Sequence, residues 1–254
     1  MGSKNLESKV QAMESALKKL SAESEVRKLH HKYGYYLDKC LYNEVVDLFS
    51  DRPDAYMQFL NGRFIGKESI RRIYVGRFGN AFVAGRNGPV DGFLLDHLMA
   101  QDVADYQPET NTVKLRARTF MSAGTHESLP ADFPGGYRQW WEGGVYENEF
   151  VEEDGVWKIL KLRYYPFWHG RFTEGWQHCS EYVPLFTGTY PAVKNGPDEL
   201  VENFRLWPDT RVVPFHYPHP VTGKDVAESD MKAPKYRETA HSAPAARVID
   251  DWVG

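Results

Sequence analysis

The sequence predicts an α+β fold in which early helices cover one face of a curved antiparallel sheet. Three observations carry that expectation. Apolar residues recur at steps of three and four up to about Tyr74, the period changes to two from Leu94 to Tyr165, and neither period persists beyond about Cys179.

Leu6 to Ala22 place apolar residues at helix-compatible spacing among Lys, Glu and Ser, so residues 1–22 read as an N-terminal helix. It leads into a stronger helix after Ser24 and Glu25, with an apolar arc of Val26, Leu29, Tyr33, Tyr36, Leu37 and Cys40. A short helix follows at about Asn43 to Phe49. Beyond the break at Pro53, Tyr56 to Phe64 reads as a strand pair around Asn61-Gly62, a strong hairpin dipeptide. Lys67 to Tyr74 reads as a third short helix, and Gly76 to Gly92, with five glycines, as a long loop of the kind that covers a site.

The period-two segments come next. Leu95, His97, Met99, Gln101 and Val103 share one face, as do Val113, Leu115, Ala117, Thr119 and Met121. Tyr137 to Glu152 and Val156 to Tyr165 read as two more strands joined by Glu153-Asp154-Gly155, an acidic glycine turn. Residues 23–178 therefore form the expected domain. Residues 179–254 read as an extended tail, because nine of the fifteen prolines lie there. Its aromatics, among them Tyr182, Phe186, Tyr190, Phe204, Trp207, Phe215, Tyr217 and Trp252, are too many for a solvated linker, so the tail is expected to pack on its own domain or a neighbouring subunit.

Composition narrows the function. The 254 residues are 42% hydrophobic and 14% aromatic, enough to fill a large core. The net charge of −4, with signs interspersed, disfavours nucleic acid and anionic membrane as partners. Two cysteines, Cys40 and Cys179, are too few for a disulfide framework, and the N-terminus lacks the apolar block of a secretory signal, so a cytoplasmic protein is expected. No metal is expected: His30 and His31 are adjacent, and no His-x-Glu-x-x-His or Cys-x-x-Cys spacing occurs. No cofactor is expected either, since phosphate-loop and dinucleotide fingerprints are missing.

Several segments in order carry a family resemblance. They are Arg27 to Phe49 with Tyr33, Asp38 and Val46-Asp47-Leu48-Phe49; Phe64-Ile65-Gly66-Lys67-Glu68-Ser69-Ile70; Asp96-His97; Gly144-Val145-Tyr146-Glu147; and Asp154-Gly155-Val156-Trp157-Lys158-Ile159. Together they resemble the SnoaL-like branch of the nuclear transport factor 2-like superfamily. The resemblance implies a cone-shaped α+β barrel with a deep pocket between sheet and helices, and a dimer or trimer. The superfamily hosts dehydratases, isomerases, cyclases, ligand binders and dioxygenase subunits, so the pocket must decide the activity. Asp38 and His97 also resemble the catalytic aspartate and strand-opening histidine of its scytalone dehydratase members. Their second catalytic histidine has no counterpart here; Met121 or Ser122 stands near its place. Length and aromatic content further resemble bacterial lyases that remove formaldehyde from lignin-derived diarylpropanes.

The candidate residues follow from their chemistry. Histidine is the side-chain type whose ordinary pKa lies nearest neutrality, and His97 shares a face with Leu95 and Met99, so it is the expected proton carrier, although a histidine there could be hydrogen-bonded core. Asp38 is its expected orienting partner; otherwise it is a solvated carboxylate beside Lys39. Tyr33 and Tyr146 are the preferred hydroxyl donors, with Tyr36 and Tyr165 as further candidates against a role in core filling. Arg116 or Arg118 could bind an oxyanion unless their face is solvated. Glu147 is either an inward acid or half of a cross-strand ion pair. Trp168 and His169 lie in an aromatic run suited to stacking on flat substrates or to a docking seam. The expected function is a cofactor-independent lyase on a hydroxylated aromatic small molecule, losing formaldehyde and water. The alternatives are a dehydratase or isomerase of a polyketide or steroid-like substrate, or a noncatalytic binding or structural subunit.

Overall fold

A computed structural model describes residues 2–128, 138–178, 185–202 and 207–233. Tyr137, Cys179, Tyr182, Phe204 and Trp252, and with them the strand start and much of the tail read from sequence, lie outside the described residues. The chain opens with one unbroken helix, α1 (Gly2–Asp38), followed by α2 (Tyr42–Asp47) and the hairpin β1 (Tyr56–Phe59) and β2 (Gly62–Ile65). Then come α3 (Lys67–Arg71), a π-helical segment (Arg72–Phe78) and α4 (Gly79–Val83). Four long strands follow, β3 (Phe93–Gln107), β4 (Thr112–Thr125), β5 (Gln139–Glu153) and β6 (Val156–Arg171), and a short β7 (Glu199–Leu200). Among the described residues no helix is long and apolar enough to cross a membrane.

The fold is α+β, with a curved, unclosed sheet of seven strands in the order β3-β4-β5-β6-β1-β2-β7. It departs from the expected all-antiparallel sheet at one pairing, where β1 runs parallel to β6. The chain enters that place already aligned with β6, through the parallel bridge of Phe49 to Ile159 just upstream. The strands bend at three register shifts, between Ala100 and Val103, Gly143 and Gly144, and Glu149 and Phe150. The inner face carries Val113, Leu115, Ala117, Tyr146, Phe150 and Ile159, and packs under α1 through Val26 and Tyr33.

Three local readings are corrected. Gly76 to Gly92 is not all loop: helical structure runs to Val83, because Tyr74, Phe78 and Phe82 recur every four residues and pack in series, Tyr74 edge-on to Phe78, Phe78 stacked on Phe82, and Phe82 on Phe93 at 5.6 Å. Tertiary burial of those rings outweighs the helix propensity lost at Gly76 and Gly79. The hairpin turns at Leu60-Asn61, with Leu60 at φ 52°, while Gly62 already belongs to β2. Val103 is exposed although Leu95 is buried, since the shift after Ala100, with Gln101 at φ 53°, reverses the alternation of β3. The Asp154-Gly155 turn is as read: both residues have positive φ, as a two-residue hairpin between twisted strands requires.

Residues 185–202 form a strap on the same unit. Asn61 grips Phe186 at both ends of its main chain, accepting its N–H and donating to its carbonyl, each at 2.9 Å. Asp198 accepts the Ile65 N–H at 2.7 Å and pairs with Arg72 at 2.6 Å, and β7 extends the sheet from β2. The structure divides near Trp207 into two compact units. In the second, Val212 donates to the Met231 carbonyl beside a short 3-10 turn (Glu228–Met231), and His219 and Lys224 close a loop.

Candidate functional site

The helices and the inner sheet face enclose a cavity with about 570 Å³ of space between its atoms, part of it open to solvent. Tyr33 and Leu37 of α1, Tyr42 of α2, and Tyr74, Phe78 and Phe82 of the helical run form one wall. The sheet supplies Met57, Phe59, Leu95, Met121, Leu162 and Tyr164, together with the polar groups of His97, Glu142 and Tyr146. The lining is thus mostly aromatic and aliphatic, with few polar groups, as small-molecule sites are.

Asp38 and His97 form a dyad at the edge of this cavity. Asp38 is the last residue of α1 and β3 is an edge strand, so the main-chain N–H of His97 on the side away from β4 is free to point at the helix end. Asp38 Oδ1 accepts that N–H at 2.9 Å and lies 2.7 Å from His97 Nδ1. These contacts offset the repulsion of about 0.3–1 kcal/mol between a carboxylate and a helix C-terminus. Each side chain is only 10% exposed. With Nδ1–H directed at Asp38, Nε2 is left as the acceptor nitrogen, and His97 lines the cavity while Asp38 stands behind it.

A second polar group is built from tyrosines. The hydroxyls of Tyr33 and Tyr74 are 2.9 Å apart, and the rings of Tyr33 and Tyr146 meet edge to face at 6.1 Å. Burial pushes the Tyr33 hydroxyl up to about 12, against hydrogen bonds from Tyr74 and Tyr146 that pull it down. Burial likewise holds Tyr74 and Tyr146 well above the ordinary tyrosine range. All three stay neutral near pH 7 and keep a proton to donate. Burial also raises the Tyr42 hydroxyl on the same wall, where it lies beside the Cys40 thiol.

The third polar group escaped the sequence reading. Glu142 is 4% exposed and accepts a hydrogen bond from Tyr164 at 2.5 Å. His97, Met121, Glu142 and His169 are successive register partners across β3, β4, β5 and β6, so they stand in one row on the inner face. Two strand spacings, roughly 10 Å of backbone, separate His97 from Glu142 across Met121. Glu142 falls on the same strand parity as Tyr146, four residues later, which is the signal that could have identified it. Among the described residues no group of three or more His, Cys, Asp or Glu side chains is arranged to hold a metal ion.

Other candidates lie elsewhere. Arg116 pairs with Glu147 directly across β4 and β5 on the outer face, so neither enters the cavity; of the two readings of Glu147, the cross-strand ion pair is realised. Arg118 shares that outer face and is exposed. Tyr165 is also on the outer face, because it pairs with Val145 while its neighbour Tyr164 pairs with Tyr146. The bulge at Gly143-Gly144 leaves Phe167 as an extra residue and turns Trp168 outward, 5.4 Å from Trp176 and 6.0 Å from Phe120. Tyr36 packs half-buried on the core without lining the cavity. His169 is buried beside Glu142 in the same row, one position beyond the cavity lining.

Gly144 is needed at this place. A Cβ there would stand 2.6 Å from both the Tyr164 hydroxyl and the Tyr165 carbonyl oxygen, so any side chain would disturb the Tyr164–Glu142 contact.

His30, fully buried under this site, gives a pH prediction. Its ring lies 5.2 Å from Tyr146 and 6.2 Å from Tyr33, and burial lowers its pKa to about 3. Between the ordinary value near 6.5 and about 3, the unfolded chain binds a proton that the folded chain refuses, so stability falls as pH falls. From pH 6.5 to 5 the loss is on the order of 2 kcal/mol. His30→Phe is expected to remove that part of the acid destabilisation. Urea unfolding of both proteins at pH 7 and pH 5 measures it, and equal pH slopes would refute it.

A candidate scytalone dehydratase of Novosphingobium aromaticivorans aligns over 66% of this chain and 96% of its own, with 17% identity and a TM-score of 0.47. The hexachlorocyclohexane dehydrochlorinase LinA-type3 of Novosphingobium barchaimii aligns over 67% and 99%, with 16% identity and a TM-score of 0.49. A protein of Kribbella flavida aligns over 59% and 93%, with 14% identity and a TM-score of 0.46. A comparison with curated protein sequences finds no significant match. Residues 18–163, more than half of the chain and the part that carries the second half of α1, the dyad and all of the cavity lining except Tyr164, match the model of the SnoaL-like domain, and the chain belongs to that family.

Proposed function

We propose that this chain is a cofactor-independent lyase acting on a hydroxylated aromatic small molecule, a lignin-derived diarylpropane diol, from which it removes water and formaldehyde to leave a stilbene. The observation that carries the reading is the Asp38–His97 dyad set into an aromatic cavity beside neutral tyrosine hydroxyls. The cavity's rings suit two flat aryl groups. The Tyr33, Tyr74 and Tyr146 hydroxyls suit a phenolic oxygen that gains negative charge during the reaction.

The chemistry balances as two steps. The para-phenol loses its proton to solvent and pushes electrons toward the benzylic carbon, whose hydroxyl takes up a proton from solvent and leaves as water; the product is a quinone methide. His97 Nε2 then takes the proton of the terminal hydroxyl. The bond to that carbon breaks, formaldehyde departs, and the released pair forms the stilbene double bond while the ring recovers as phenolate. The proton on His97 returns through solvent to the phenolate. Asp38 holds the tautomer and stabilises the imidazolium while it exists.

The test is an assay of the purified chain, without added cofactor, on a phenolic 1,2-diarylpropane-1,3-diol, reading stilbene absorbance and formaldehyde together. Equal yields of both are expected. Water loss without a one-carbon product would replace the reading by a dehydratase, and binding without turnover by a ligand-binding member.

A further inference from the structure

Every described residue of α1 from Asn5 to Ser21 is exposed. Within that stretch Leu6, Val10, Met13, Leu17 and Leu20, each 46% to 71% exposed, repeat at steps of four, three, four and three. That is the seam of a heptad, with Val10 and Leu17 at one core position and Leu6, Met13 and Leu20 at the other. The seam faces away from the chain's own sheet. Leu17 and Val26, which is buried against the domain, are nine residues or about two and a half turns apart, and so lie on opposite sides of the helix. It also ends where the helix docks: the next seam positions are Ser24 and Arg27, and Arg27 pairs with Asp102 of β3 at 2.5 Å.

We propose that residues 6–20 pair with a second copy of this chain as a parallel two-stranded coiled coil. Charge selects the partner and its direction. In a parallel pair the position flanking one side of the seam meets the flanking position five residues later on the other helix, which brings Lys9 to Glu14 of the second copy, twice by symmetry. An antiparallel pair would instead bring Glu7 of one helix toward Glu14 of the other. The seam is only about two heptads, short for an isolated peptide, but here the helix is nucleated by the part of α1 that packs on the sheet.

The test uses the full chain. Sedimentation should give a dimer, and Leu17→Glu with Leu20→Glu should weaken the association about tenfold or more while the melting temperature of the domain holds. Met13→Cys should form an intermolecular disulfide on mild oxidation, whereas Ser15→Cys, on the outward side, should cross-link no more than the parent chain. A monomeric parent chain, or equal cross-linking at positions 13 and 15, would overturn the proposal. So would a monomer whose residues 6–20 resist hydrogen exchange, since a segment of the same chain would then cover the seam. If the glutamate variants do not fold, the cross-linking pair still decides.

Discussion

Replacing Asp38 by Asn is expected to slow turnover by about a hundredfold to ten-thousandfold, the usual contribution of a positioned acid–base group. Among the described residues the carboxylate is the sole hydrogen-bond partner of His97 Nδ1, at 2.7 Å, and it also accepts the His97 main-chain N–H. Asparagine keeps an amide oxygen where Oδ1 accepts from both His97 groups, but it carries no charge, so the imidazolium that forms when Nε2 takes a proton loses its counter-charge. The substitution is isosteric, so the melting temperature should change little. KM should change little as well, because Asp38 stands behind His97 and does not line the cavity. His97→Ala should show a loss of similar size. Steady-state kinetics on the diol substrate, with melting curves as a control, make the comparison. Turnover within threefold of the parent in a folded Asp38→Asn protein would remove His97 as the proton acceptor.

Phe186→Ala is expected to destabilise the protein by about 3–5 kcal/mol, as for other buried phenylalanines. The ring is 5% exposed, meets Phe64 edge to face at 5.6 Å and lies under the Arg77 guanidinium at 4.2 Å. It also occupies the space where Gly62 would carry a Cβ, 2.7 Å from its ring edge, so the hairpin and the strap are shaped to each other. Truncation leaves a hole between the strap and β2, and removes the anchor of residues 185–202. Two readouts separate a local from a global effect. If the strap opens by itself, hydrogen exchange rises in residues 185–202 and around Asn61 while the midpoint of urea unfolding barely moves. If it unfolds with the sheet, the midpoint falls by the full amount. Unchanged exchange and an unchanged midpoint would show that the strap contributes nothing.

The two residues of the dyad were singled out in the sequence because they fall at positions marked by the family resemblance. Asp38 ends the first helix and His97 lies near the start of the first long strand, and both remain there. Tyr33 and Tyr146 were legible by parity, one on the inward arc of a helix and one on a strand face. The same reasoning misplaced Tyr165 and Trp168 by one residue each. Tyr164 and Tyr165 are indistinguishable in composition, and only the register against Val145 and Tyr146 selects which faces the cavity. Trp168 was displaced by a bulge whose extra residue, Phe167, leaves no trace in the apolar pattern. Arg116 and Glu147 were drawn to the site by their charge, yet they satisfy each other across the outer face.

The sequence by itself determined the order of helices and strands, the membership of the helix arc that packs inward, and the two ends of the dyad. The order and the arc follow from local periodicity, and the two dyad positions from the family resemblance. Only the tertiary structure decided that β1 joins the sheet parallel to β6, that a glycine-rich stretch continues as helix under three rings packed in series, and that Glu142 and Tyr164 face His97. Those outcomes depend on register, bulges and long-range burial. A shift of one residue reverses every side chain that follows it, and one sequence pattern is compatible with either face until a neighbouring strand fixes the choice.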